Sequence, residues 1–349
     1  MRLAAWTVPR MNSTIPVLLT MRFGDNLLDE LGAVSPRLAI RQQSVTHDRD
    51  DISALLDGSE EILYCMNPPR DLARAPNLKW VQLHSAGVDR LREHPIWDTN
   101  IIVTTTSGIH AVPIGEFTFA LLLALARKIP KMVLLQERAE WLRNRWEILS
   151  GLELRGKTIG IVGYGSIGRE IGRIAKYGFH MRVLAMRRTM QTPRRRYSEP
   201  GVGDPEGRIP EQWFAPHEIT ELAAQCDVLA LAAPATAETH NLIGETQLRA
   251  MKPHALLLNI ARGELVDDRA LVIALKEGWI AGAGLDAYAI EPLPRGHPLW
   301  RMDNVIVAPH VASATGKYND RAAALFAENL RRYLTGLPLL NVVPHDLRY

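Results

Sequence analysis

Four side chains able to move a proton or grip an anion arrive late in this chain, each just after a short apolar run. Arg262 lies in "LLLNIARGELVDD", Asp286 and Glu291 in "GLDAYAIEPLP", and His310 in "NVIVAPHVAS". A guanidinium is a planar fork that holds a carboxylate through two charge-assisted bonds and polarises a carbonyl oxygen beside it. Histidine titrates near neutral pH, so it can give a proton to an alkoxide and recover it. A carboxylate next to that histidine favours the imidazolium and fixes its tautomer. The set suits reduction of a 2-oxo acid, with Arg262 on the acid's carboxylate and carbonyl, His310 as general acid and Glu291 as its partner. Singly, each residue has a plainer reading: a surface arginine, a loop carboxylate, a capped histidine. Their recurrence at strand ends, downstream of a nucleotide-binding turn, favours chemistry.

That turn is "KTIGIVGYGSIG" (157–168), where Gly163, Gly165 and Gly168 form G-x-G-x-x-G between an apolar strand and an amphipathic helix. The first glycine permits the tight turn, the second admits a pyrophosphate against the backbone, and the third lets helix and strand pack closely. The helix N-terminus then binds the diphosphate. About twenty residues on, chains that bind NAD place a carboxylate for the ribose hydroxyls. Here "VLAMRRT" (183–189) places Arg187 there, followed by Arg188 and Thr189. A guanidinium cannot accept from hydroxyls but matches a phosphate, so these three residues point to the 2′-phosphate of NADP, with NAD still open. A solvated basic turn is the plainer alternative, and it fits Arg194, Arg195 and Arg196 better.

The elements that must position these groups read as α/β throughout. "PVLLTMR" (16–22), "EILYCM" (61–66) and "LKWVQLHS" (78–85) are strand-like, with "GDNLLDELG" (24–32) as a helix between the first two. A second series of strands runs through "KTIGIVG", "MRVLAM", "DVLALAA", "ALLLNI", "IAGAGLDAY" and "NVIVAPH", separated by helical patterns, which implies a parallel, doubly wound sheet. "PIGEFTFALLLALARKI" (113–129) reads as one long helix, apolar around much of its circumference. Residues 190–217 are rich in Pro, Gly and Arg without a period and read as a surface insertion.

The 349 residues allow two cores, and 47% hydrophobic with 23% charged residues is an ordinary globular balance. A net charge of +3 is too small and scattered for a nucleic-acid partner. Two cysteines, Cys65 and Cys226, lack metal-ligand spacing and suit a reducing compartment. No metal is expected. The longest apolar run, "FTFALLLALA", is too short to span a bilayer, and no secretory leader precedes Pro9, so the expected location is cytoplasmic.

With these segments in order, the chain resembles the D-isomer-specific 2-hydroxyacid dehydrogenase family. The resemblance runs from "HSAGVD" (84–89) through the glycine turn, "PATAETHNLIG" (234–244) and "MKPHALLLNIARGELVD" (251–267) to "APHVAS" (308–313). It implies two doubly wound parallel-sheet domains, a Rossmann cofactor domain (110–310) inserted in a flavodoxin-like substrate domain (1–109 plus 311–349). It also implies that Ser166, Ile167, Ala233, Pro234, Thr239, Ile260, Ala261 and His310 line the cofactor, with Asp286 near the nicotinamide carboxamide. Backbone amides of Ser85, Ala86 and Gly87 would receive the substrate's carboxylate. The expected activity is reduction of glyoxylate or hydroxypyruvate, and the expected unit a homodimer joined through the 113–129 helix and the "ERAEWLRNRW" arm (137–146). Two features depart from the family: the arginine at the ribose position and the length of the 190–217 insertion. Pyruvate-like acids and 3-phosphoglycerate remain rival substrates. The chain's end soon after its last helix leads us to expect no appended regulatory domain, and Glu291 counts against formate. A dinucleotide-sensing binding protein, as in some transcriptional corepressors that resemble the family, remains the alternative from a different class.

Overall fold

The structure, a computed structural model, describes residues 13–45, 51–188 and 197–345. The expectations for Thr189 and for Arg194 to Arg196 therefore lie outside the described residues. The chain divides into two compact units, one holding residues up to 109, 197–199 and the stretch from 315, the other holding 110–188 and 200–314.

The first unit is built on five parallel strands, β1 (Ile15–Leu19), β2 (Leu38–Gln42), β3 (Ile62–Cys65), β4 (Trp80–Leu83) and β5 (Ile102–Thr104), in the order β2-β1-β3-β4-β5. That is the flavodoxin-like order, with its switch point between β1 and β3. β1 reads IPVLL and β3 ILYC, runs apolar on both faces, as a sheet covered on both sides requires. β2 and β5 were not recognisable in the sequence because LAIRQ and IVT are too short or too polar to stand out. One cover is the helix Asp25–Gly32; another is the last helix, Tyr318–Thr335. Phe326 and Tyr333 of the last helix lie against Trp80, with ring centroids 5.4 Å away in both pairs. Aromatic pairs of this kind add roughly 0.5–1.5 kcal/mol beyond their buried area. The last helix stops at Gly336, whose φ of 72° is the left-handed closing residue.

The second unit carries seven parallel strands: β6 (Thr158–Val162), β7 (Arg182–Met186), β8 (Gln212–Phe214), β9 (Val228–Leu231), β10 (Leu256–Asn259), β11 (Gly282–Leu285) and β12 (Val305–Val307). Their order, β12-β11-β10-β9-β6-β7-β8, reverses between β6 and β9. Ligands of such sheets bind beyond the carboxyl ends of the strands at that reversal. Two sequence expectations change here. The tail of the 190–217 insertion is the edge strand β8, whose three residues are too few to show a period. The 113–129 helix is two helices, Ala111–Ala126 and Ile129–Glu137, broken at Lys128 with φ 54°. Pro130 stands in the first turn of the second helix, where its missing N–H costs nothing. Among the described residues, no helix is long and apolar enough to cross a membrane.

Candidate active site

The glycine turn follows β6 at the switch point. Gly163 has φ 93°, and a Cβ there would lie 2.6 Å from the Ala233 nitrogen, so the turns after β6 and β9 touch only because this residue has no side chain. A Cβ on Gly168 would meet the Gly163 carbonyl oxygen at 2.2 Å, which fixes helix Ser166–Arg173 close to the strand. Gly165 faces open space, with nothing within 4 Å of its would-be Cβ. This is the shape a diphosphate needs: unobstructed backbone beside the first-turn amides of Ser166, Ile167 and Gly168. The residues present fit a dinucleotide.

Arg187 leaves the end of β7 with its guanidinium carbon 4.1 Å from the centroid of the Trp213 ring. Burial lowers this guanidinium from its ordinary value, and the neighbouring Arg169 charge lowers it further. Arg188 is half-exposed and reaches Glu238 at 3.9 Å, on the loop after β9. On that loop Thr239 is a brace: its hydroxyl donates to the Pro234 carbonyl at 2.8 Å and accepts from the Thr236 amide at 2.8 Å.

The catalytic candidates gather beyond β10, β11 and β12. Asn259 holds the turn after β10, accepting from the Ala261 amide at 3.1 Å and donating to the Arg262 carbonyl at 2.9 Å. Ile260 and Ala261 are buried within it, and the Arg262 guanidinium donates back to the Ala261 carbonyl at 2.8 Å. Gly263 then lies flush with the next turn, since a Cβ there would overlap the Tyr288 carbonyl carbon at 1.8 Å. Arg262 and the Glu291 turn are thereby pressed together.

Glu291 divides its oxygens. One accepts from the Tyr288 amide at 3.0 Å, and the other lies 2.8 Å from His310 Nδ1. A carboxylate accepts, so Nδ1 donates to it and Nε2 is left as the atom that can exchange a proton with a substrate. Asp286 is buried at 3% exposure, and its oxygens accept from the amides of Val311 at 2.8 Å and Ala312 at 2.9 Å. The aspartate thus fixes the turn that carries His310, itself at φ 56°. Tyr288 ties the same strand ends, donating toward the carbonyls of Leu285 at 2.8 Å and Ala308 at 2.9 Å. Burial pushes its phenol above the usual tyrosine range. Asn259, Gly263 and Tyr288 were not singled out from sequence. Only the strand adjacencies reveal their partners.

The loop after β4 belongs to the first unit. Its base is fixed by two hydroxyls on the His84 carbonyl, Tyr318 at 2.5 Å and Thr106 at 2.9 Å. Ser85 Oγ donates to the Gly87 carbonyl at 2.8 Å, and Ala86 is exposed. Among the described residues nothing accepts from the amides of Ser85, Ala86 and Gly87. Also among the described residues, no group of three or more metal-ligating side chains occurs.

The model of the D-isomer specific 2-hydroxyacid dehydrogenase NAD-binding domain matches residues 119–312. The chain belongs to the D-isomer specific 2-hydroxyacid dehydrogenase family. Its second unit is an NAD(P)-binding domain, and the protein is an NAD(P)-dependent 2-hydroxyacid dehydrogenase. It is 40% identical over 264 residues to the glyoxylate reductase of Thermofilum pendens, covering 75% of this chain and 74% of that one. A family member from Xanthobacter autotrophicus, solved with NADPH and MES, shares 28% identity at a TM-score of 0.76, over 97% of this chain and 100% of that one. An NADPH-dependent glyoxylate/hydroxypyruvate reductase from Sinorhizobium meliloti, solved with NADP and malonate, shares 26% identity at a TM-score of 0.69, over 95% and 98%.

Proposed function

We propose that this dehydrogenase is an NADP-preferring reductase of a small 2-oxo acid, glyoxylate or hydroxypyruvate, in which Arg262 and His310 act on the substrate. The observation that carries the reading is the 2.8 Å pairing of Glu291 with His310 Nδ1, on a turn fixed by Asp286, in the same sheet as the glycine turn. Gly163 to Gly168 hold the diphosphate, with Ala233, Pro234, Thr239, Ile260, Ala261 and Asp286 along the rest of the dinucleotide. Arg187 and Arg188 face the 2′-phosphate. When bound, the reduced nicotinamide supplies the hydride that adds to the carbonyl carbon. Arg262 takes the substrate carboxylate and polarises its carbonyl. In the first unit, the amides of Ser85, Ala86 and Gly87 are the donors that the reading assigns to a carboxylate. His310 Nε2 gives its proton to the new alkoxide, and Glu291 stabilises the imidazolium beforehand. The half-exposed ring regains its proton from water.

The relatives' glyoxylate and NADPH names favour the small substrate and the phosphorylated cofactor. Initial rates with NADPH and NADH on glyoxylate, hydroxypyruvate, pyruvate and phenylpyruvate test this. Glyoxylate or hydroxypyruvate with NADPH is expected to lead, and a preference for NADH or for phenylpyruvate overturns it. The two units serve as substrate and dinucleotide domains, and two copies pair through the second. The exposed apolar side chains of Ile129, Met132, Val133 and Leu134, with Trp141 at 84% and Trp146 at 81% exposure, support the homodimer. The free, buried thiols of Cys65 and Cys226 support a cytoplasmic location.

A further inference from the structure

The loop after β4 is anchored through its first residue. The His84 amide donates to the Cys65 carbonyl at 2.8 Å, and its Nδ1 lies 2.7 Å from the hydroxyl of the fully buried Tyr64. Its carbonyl accepts from the hydroxyls of Tyr318 and Thr106. Tyr318 opens the last helix, and its ring centroid lies 4.8 Å from that of His84. Farther along the same helix Phe326 meets Tyr64 edge-on at 4.9 Å. One donor is sufficient for a buried carbonyl, so the second hydroxyl on His84 adds rigidity rather than mere satisfaction.

Thr106, wholly buried, takes the next carbonyl as well. Its amide donates to the Ser85 carbonyl at 3.0 Å. In a regular strand successive carbonyls point to opposite edges. Here two in a row turn toward one residue. A peptide unit is planar and trans, which sets each N–H opposite the C=O of its own unit. The Ser85 amide shares a unit with the His84 carbonyl, and the Ala86 amide shares one with the Ser85 carbonyl. Both N–H groups therefore face away from Thr106, on the same side. Consecutive N–H groups turned to one side form a nest, a concavity that binds anions. Donors on a carbonyl also polarise its peptide and strengthen the N–H at the other end.

We propose that Tyr318 and Thr106 are positioning residues for the substrate. Their hydroxyls and the Thr106 amide set the planes of two peptide units, so that the Ser85 and Ala86 amides meet the carboxylate of a 2-oxo acid together. Both residues act through the backbone of the loop. The proposal rests on the reading of this loop as the carboxylate receiver. It deepens that reading by naming the side chains that give the receiver its shape, one of them on the last helix.

The test compares glyoxylate with its methyl ester, which keeps the aldehyde carbonyl and loses the negative charge. Steady-state rates are measured on the full-length protein at saturating NADPH, and the ratio of the two kcat/KM values is the readout. Wild type is expected to favour glyoxylate, since a charged acceptor strengthens each amide bond. Tyr318→Phe and Thr106→Val are each expected to lower the ratio by about two- to tenfold, the worth of one hydrogen bond. The loss should appear in KM for glyoxylate with kcat little changed, because the carboxylate is held alike before and during hydride transfer. Thr106→Ser, which keeps the hydroxyl, should restore the wild-type ratio. If wild type favours glyoxylate and Arg262→Gln reduces that preference, while Tyr318→Phe and Thr106→Val keep the wild-type ratio, the positioning role is overturned and the 2-oxo acid reading stands. No preference for glyoxylate in wild type overturns both. Equal losses on the two substrates, unrescued by Thr106→Ser, make the hydroxyls packing groups and overturn the proposal.

Discussion

Replacing Asp286 with asparagine separates two tasks that this residue could perform. Its carboxylate accepts one backbone N–H on each oxygen, from Val311 and Ala312, at 3% exposure. Asparagine offers one oxygen and one NH2 group, so one of the two amides must face a donor. Losing a charge-assisted bond and leaving its buried partner unmet costs about 2–4 kcal/mol together. At about 2–4 °C per kcal/mol for a unit of this size, the unfolding midpoint should fall by roughly 4–16 °C. The cheapest relaxation moves residues 310–312, the turn bearing His310, and a displacement of about 1 Å at a catalytic group can cost ~10²-fold in rate. Asp286→Asn should therefore lower the midpoint and lower kcat by about ten- to a hundredfold, a larger loss than it causes in NADPH affinity. Differential scanning calorimetry, steady-state rates with glyoxylate and titration of NADPH measure the three quantities. A wild-type midpoint together with a matched loss of NADPH affinity and rate would refute the reasoning. It would assign the residue to the nicotinamide carboxamide alone.

Further outcomes follow from the same geometry. His310→Gln should lower kcat by about 10²–10⁴ while NADPH still binds, and wild-type turnover would show that the proton comes from elsewhere. Glu291→Gln should lower kcat less than His310→Gln does, since the amide oxygen can still accept from Nδ1 where the carboxylate lies at 2.8 Å; wild-type turnover would deny the pair a role. Arg187→Asp should weaken NADPH by about ten- to a hundredfold and spare NADH, because it removes an attraction and adds a repulsion; equal NADPH constants in both proteins would make the turn mere basic surface. Burial alone would raise the Asp227 carboxyl, but the Thr158 amide, His254 and Lys252 outweigh it and hold the group below 3.8. A carboxyl depressed in the folded state stabilises above its unfolded value and loses that contribution as pH falls through the folded one. The unfolding midpoint of Asp227→Asn should thus lie below wild type at neutral pH, with the gap narrowing as the pH drops beneath 3.8. A gap independent of pH would show that charge is irrelevant there.

The glycine turn was legible because each glycine does a different backbone job at fixed spacing, and its flanks carry the periods of a strand and a helix. The strand-end residues Arg262, Asp286, Glu291 and His310 were legible as types and positions. Their contacts were not, because Glu291 and His310 meet only where β11 and β12 lie side by side. Asp286 shows the limit well. Its position marked it as functional, yet its hold on the amides of Val311 and Ala312 depends on a turn conformation that no pattern encodes. Trp213 was hidden in a three-residue edge strand inside a stretch that reads as loop. The break between Ala126 and Ile129 had a visible signal in Pro130, but the apolar run through it masked the change of direction.

The central claim, that this site transfers hydride and proton to a 2-oxo acid, is tested most directly by stoichiometry. Purified protein is incubated with NADPH and excess glyoxylate, and cofactor oxidised and glycolate formed are both counted. The account predicts one glycolate for each NADPH consumed, with His310→Gln slowing both together. NADPH that binds tightly yet is not oxidised by glyoxylate, hydroxypyruvate, pyruvate or phenylpyruvate would contradict it.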